Sequence, residues 1–189
     1  MRVFLLILVL IFSIQSYTKA DDISDFQIEG ISLGDSVLDY YSEEKILNAE
    51  KIFLPKSKKF HRIVFILDNT DLYDAVAFYV RSNDKKYKIY ALEGFKYFNY
   101  ISCKAKQKEI AKNLREMFSD YNENSYEEIH SFDSESTFFA FDFGFDDGSV
   151  VRIICTDWTN KMENDGYKDS LAVYLYKAKF RKWLNTEAY

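Results

Sequence analysis

The chain has one proline, two histidines, two cysteines and six glycines among its 189 residues. Each scarcity closes off a class of function. His61 and His130 lie far apart, and with Cys103 and Cys155 they do not make the closely spaced ligand set of a zinc site. No C-x-x-C occurs, so the usual redox-pair motif is missing. No glycine-rich strand-to-helix loop is present to cradle phosphates. Basic residues are outnumbered, 25 against 30 acidic ones. Nucleic-acid phosphates call for a basic surface, so that class of partner is excluded. The sequence implies no cofactor.

One apolar run is present, and it opens the chain. Arg2 is followed by unbroken apolar residues from Val3 to Phe12, then by a polar stretch from Gln15 to Lys19 and the small residue Ala20. That is the layout of a secretory signal peptide. The run falls short of the roughly 18–20 residues that span a bilayer. The expected organisation is a leader over residues 1–20, cut near Ala20, and a single α+β domain over residues 21–189. The expected home is the periplasm or the exterior; an uncleaved anchor is the alternative. No cysteine follows the run, which rules out lipid attachment there. Loss of Arg2 and Lys19 with the leader lowers the basic count from 25 to 23 against 30 acids, a formal charge of −7.

Cys103 and Cys155 both fall in the exported part. An oxidising compartment favours a bridge between them. It would close a loop of about 52 residues and contribute about 4 kcal/mol on the chain-entropy model. Two buried thiols are the alternative. Phenylalanine (17) and tyrosine (15) are abundant. They admit a sugar-binding surface, although a bias toward residues with A/T-rich codons produces the same mixture.

Residues 26–33 look extended, and Gly34 turns the chain. Asp35 or Ser36 then caps a short helix over 37–41, and Ser42 with Glu43 and Glu44 caps a second. Pro55 and the lysines around it mark a loop. Strands are expected over 60–67, 75–81 and 87–92, the last ended by Glu93-Gly94. A long helix is expected over 104–120, with Ile110, Ala111, Leu114, Met117, Phe118 and Tyr121 as its core stripe. Asp146-Asp147-Gly148 joins strands 137–143 and 149–156 as a hairpin. A strand over 170–176 and a terminal helix carrying Phe180, Trp183 and Leu184 complete the chain. The expected architecture is an antiparallel sheet of about six strands with helices packed on one face. It can be divided into two similar halves, each a helix followed by three strands.

Four features invite a chemical reading. Gly30-Ile31-Ser32-Leu33-Gly34 matches the nucleophile elbow G-x-S-x-G, but no earlier strands exist to build a hydrolase sheet around it. Gly34-Asp35-Ser36-Val37 resembles the opening of the GDSL-type esterases, which would make Ser36 a nucleophile. That family also needs an Asp-x-x-His near its C-terminus; three residues before His130 stands Glu127, three before His61 stands Lys58, and the Gly-x-Asn block is missing. Turn and cap chemistry accounts for these residues better. Asp68, Asn69, Asp71 and Asp74, or Asp142, Asp146 and Asp147, are candidates for a hard cation, without the spacing of an EF-hand loop. Lys108, Lys112 and Arg115 share a face of the long helix with Lys104 nearby. They form a candidate partner surface, as does the C-terminal cluster Lys177, Lys179, Arg181 and Lys182 with Tyr189.

The run Ile28-Glu29-Gly30-Ile31-Ser32-Leu33-Gly34-Asp35-Ser36 resembles the mature start of small exported bacterial proteins that have no assigned function. The resemblance extends to Cys103, to Cys155-Thr156-Asp157-Trp158 and to Phe180 through Leu184. It implies export and imports no activity. The same opening is loosely similar to that of small outer-membrane assembly lipoproteins, from which this chain departs by lacking a lipid-bearing cysteine. The expectation is an exported, non-catalytic binding or interaction domain that recognises a protein or a small ligand. A serine hydrolase using Ser36 and a cell-envelope accessory factor are the alternatives.

Overall fold

The computed structural model describes residues 23–68, 72–130 and 133–189. The expected leader lies outside them, as do Asn69 and Asp71 of the acidic turn. Helices α1 (Glu43–Asn48), α2 (Tyr100–Met117), α3 (Asn160–Asn164) and α4 (Ala178–Thr186) alternate with strands β1 (Lys51–Leu54), β2 (Ser57–Ile66), β3 (Ala75–Arg81), β4 (Ala91–Tyr97), β5 (Asn122–Ile129), β6 (Thr137–Gly144), β7 (Val150–Asp157) and β8 (Ser170–Tyr176). All eight strands form one sheet in the order β1-β2-β3-β4-β8-β7-β6-β5, and every pairing is antiparallel. The class is α+β. Among the described residues, no helix is long and apolar enough to cross a membrane.

The sheet has eight strands where about six were expected, and each half is a helix followed by four strands, not three. The two meanders, β1–β4 and β5–β8, meet where β4 pairs with β8. The additional strands are the two edges. In β1 the neighbouring Pro55 and lysines had signalled only a loop; Pro55 sits at the β1–β2 turn, where a missing N–H does no harm. In β5 every residue but Tyr126 is exposed, so no buried alternation marks it.

Period-two alternation builds the core. Ile63, Phe78, Leu92, Leu175, Val151 and Phe143 occupy one register line across six strands and are fully buried. This face is covered by the N-terminal segment, α1 and α2. Asn99 caps α2 by accepting the Ser102 N–H at 2.9 Å, so the helix begins four residues earlier than expected. Cys103 therefore lies in its first turn, and the buried stripe runs through Cys103, Gln107, Ala111 and Leu114, while Met117 is exposed. The Gln107 side chain donates to the carbonyls of Phe139 (2.8 Å) and Ile153 (2.9 Å). Cys103 and Cys155 lie at disulfide-bonding distance, with their Cα atoms 5.8 Å apart, and tie α2 to β7.

Helices are not confined to one face, which is a second correction. Helix α4 packs on the opposite side, its Phe180 and Trp183 rings 5.3 and 4.9 Å from Phe60. The Trp183 indole donates to Ser57 Oγ at 2.9 Å. Two further expectations fail locally. Residues 26–33 make no strand; they fold as a tight turn in which Ile28 bridges Ile31 around Glu29 (φ 52°) and Gly30 (φ 75°). Gly94 does not end a strand but lies within β4, under Tyr73 and Ile28. A Cβ there would come within 2.8 Å of both, so only glycine allows the approach.

Candidate functional site

One residue along each strand from the core line, the chemistry changes. On the side away from α2, Glu93, Tyr174, Arg152 and Asp142 form a single register line across β4, β8, β7 and β6. Arg152 grips Asp142 with two parallel bonds, Nε to Oδ1 and Nη2 to Oδ2, both 2.7 Å. Arg62 from β2 reaches Glu93 at 2.8 and 2.9 Å. Burial pulls the pKa of each arginine down, but the paired carboxylate outweighs it and holds each above its ordinary value. Tyr79, Tyr174 and Tyr176 surround these pairs. Burial first, with the Glu93 charge among the further causes for each, pushes their hydroxyls up, so they stay protonated as neutral donors and acceptors.

Helix α4 covers one end of this face, packing on Phe60 and Tyr79. Two hollows adjoin there. The first, of about 350 Å³, is floored by Ile154, Thr156, Ser170 and Ala172 and walled by Phe95, Tyr97, Phe138, Trp158 and Tyr167. The second, of about 430 Å³, lies beside α4 between Tyr79, Arg152, Tyr176 and Tyr189. Ile154 and Tyr174 belong to both. Volumes of this size suit a small ligand or one unit of a chain.

The walls of the first hollow are held from behind. Asp169 accepts the Trp158 N–H at 2.8 Å and the Tyr100 N–H at 3.1 Å, which ties the end of β7 to the start of α2. Asp133 accepts from the Ser136 hydroxyl (2.6 Å) and the Thr159 hydroxyl (3.0 Å), and these bonds hold its carboxyl below the usual range. The Trp158 ring lies between His130 (4.2 Å) and Tyr167 (4.8 Å). Burial lowers the His130 pKa, against the opposing charge of Asp133, so the ring favours its neutral form.

The residues singled out from sequence are dispersed. Ser36 accepts the Leu38 N–H (3.1 Å) and donates to the Lys86 carbonyl (2.7 Å), while its own N–H donates to Asp39: a capping box at a short 3-10 turn over Val37–Asp39. Ser32 accepts from Gln27 at 3.1 Å. His61 is buried on the covered face of β2, with Nδ1 3.5 Å from Ser82 Oγ. Asp74 accepts the Tyr97 N–H at 2.9 Å and faces Lys96 at 3.7 Å, whereas Asp68 is exposed. Asp142 pairs with Arg152, and Asp147 accepts from Ser149 in the hairpin turn. Among the described residues, no three His, Cys, Asp or Glu side chains gather as a metal site would require.

On α2, Lys108 is exposed, Lys112 faces Glu116 at 3.7 Å, and Arg115 forks onto Glu123 at 2.8 and 2.5 Å. The Lys104 ammonium sits 3.1 Å above the Phe139 ring. The basic stripe is thus largely answered by its neighbours. In the C-terminal cluster, Lys179 and Lys182 are exposed, whereas Lys177 packs at Gly34. Thr156 and Trp158 enter the sequence reading only within the run Cys155-Thr156-Asp157-Trp158, and Tyr167, Ser170 and Tyr174 do not enter it as site residues. Their one sequence signal was a tryptophan and a tyrosine in the connection between two alternating strands. No protein-family profile, curated protein or solved structure matches the chain.

Proposed function

We propose that the chain is an exported, non-catalytic binding domain that holds its ligand on the face of its sheet opposite α2. The observation that carries this reading is the face itself. It is paved with tyrosine, phenylalanine and tryptophan around charges that already neutralise each other, and it is hollowed over several strands. Aromatic rings give large contact area at low entropic loss, and tyrosine adds a polar tip. Internally paired arginines let a ligand cover the face without stranding a lone charge. The leader-like opening and the Cys103–Cys155 pair support export. The use of Ser36 in a cap supports a role without catalysis.

The test is a thermal-shift screen of a chemically broad ligand panel on the purified exported form. A ligand that binds only the folded state raises the melting temperature by mass action. Ile154→Lys, planted where the hollows meet, should abolish the shift of every true ligand. Lys112→Glu on α2 should leave it. Shifts that survive Ile154→Lys and vanish with Lys112→Glu would move the site to the helical side. Export is tested separately by mass spectrometry of the native protein, where an intact Met1 would defeat it.

A further inference from the structure

From the first hollow we infer that the ligand is an oligosaccharide, one unit of which sits over Thr156 and Ser170. This inference rests on the open-face reading and narrows it. The two side chains are direct cross-strand neighbours in β7 and β8. Only 9% of Thr156 and 5% of Ser170 is exposed, yet both line the hollow. Neither hydroxyl has a hydrogen-bond partner among the described residues, whereas the nearby hydroxyls of Ser136 and Thr159 are tied to Asp133. These two hydroxyls, open to the hollow on side chains that are otherwise buried, on a floor completed by Ile154 and Ala172, offer a ligand donors and acceptors at neighbouring atoms.

The walls add a second feature. Tyr97 and Tyr167, both exposed, with Phe138 and Trp158 beside them, offer aromatic apolar surface that suits a ligand with an apolar face. A sugar ring suits both, with C–H groups against the aromatic planes and hydroxyls toward Thr156 and Ser170. The hollow's surroundings favour a neutral occupant. The strong ion pairs on this face are closed on themselves, and the hollow's lining carries one lysine, Lys168, its charged ammonium 5.2 Å over the Tyr97 ring, against mostly aromatic and hydroxyl side chains elsewhere. The second hollow shares Ile154 and Tyr174 with the first, so a chain of sugar units can continue from one into the other.

The full exported chain is titrated with chitotriose, cellotriose and maltotriose, and tryptophan fluorescence is read. Trp158 borders the hollow, while Trp183, on the inner side of α4, is buried and lines neither hollow. At least one trisaccharide should give a saturable change. Thr156→Val with Ser170→Ala should weaken it by about tenfold or more, the scale of one or two lost hydrogen bonds. Tyr167→Ala, on an exposed loop residue, should weaken it as well and keeps the test available if the floor variant folds poorly. No saturable change with any of the three overturns the sugar assignment. If a ligand from the thermal-shift panel still needs Ile154 in that case, the open-face reading survives alone. A sugar response unmoved by the floor and wall variants but lost with Lys112→Glu overturns both.

Discussion

The two faces of the sheet are built from the same eight strands and differ in almost everything else. On the covered face, the line from Ile63 to Phe143 is aliphatic and aromatic, fully buried, and pinned to α2 by Gln107 and Cys103–Cys155. On the open face, one residue away, the line from Glu93 to Asp142 is tyrosine and paired charge. Here Glu93 is buried and Tyr174, Arg152 and Asp142 are partly buried: their bodies lie on the sheet and their polar ends meet each other. The contrast teaches that strand alternation separates two tasks. One set of positions accumulates stability by excluding water, and the other keeps apolar surface within reach of a ligand without collapsing onto a helix.

The comparison breaks most visibly if stability is lost equally from both sides. Phe78→Ala on the covered face should lower the unfolding free energy by about 3–5 kcal/mol, the range for a fully buried ring. Phe138→Ala on the half-buried open side should lower it by clearly less. Urea midpoints of the two variants decide, and equal losses would mean that the open face is core. Next comes the cystine. Replacing Cys103 and Cys155 with alanine should lower stability by about 2–4 kcal/mol, because the released segment regains loop entropy when unfolded. Ligand shifts on the open face should persist below the new melting temperature. Loss of ligand binding in a folded double variant would couple the two faces.

The covered face was the legible one. Residues 75–81 and 170–176 alternate cleanly because valine, leucine and phenylalanine fall on the covered side and alanine, serine, tyrosine and arginine on the other, although both sides are largely buried, and Asp147-Gly148 announces its hairpin. Where burial gives no period, the reading failed. The strand at 122–129 is an exposed edge, and Gly94 read as a stop because its reason, the Tyr73 ring above it, is distant in sequence. The candidate site was almost invisible for the same cause. Arg152 and Asp142 are unremarkable until the β6–β7 register puts them opposite each other, and Asp142 had been weighed as a cation ligand. Thr156 and Ser170 look like ordinary strand residues until the sheet aligns them. The proximity of Cys103 and Cys155 was legible because they are the two cysteines of a chain read as exported.

A smaller effect separates cap from catalyst. Ser36→Ala should lower stability by about 1 kcal/mol, the usual effect of a lost N-cap. A fluorophosphonate probe should leave the native protein unlabelled. Labelling of Ser36, with unchanged melting in the alanine variant, would replace the binding reading with a hydrolase.

The finest division concerns the two histidines, one on each side. His61, on the covered face, has an Nε2 with no hydrogen-bond partner among the described residues; burial lowers its pKa and the Lys51 charge lowers it further. His130, beside the open hollow, is lowered by burial but opposed by Asp133. In both, folding favours the neutral ring. Each contribution is therefore complete above the unfolded pKa of 6.5 and is lost as the pH falls below it toward the folded value. Because both influences at His61 act in one direction, the covered-face histidine should dominate the loss. Denaturation midpoints compared between pH 7.5 and 5.5 should fall for the native protein, fall less for His61→Asn, and fall nearly as much for His130→Asn. A flatter profile for His130→Asn than for His61→Asn would place the pH-sensitive burial on the open side and blur the division between the faces.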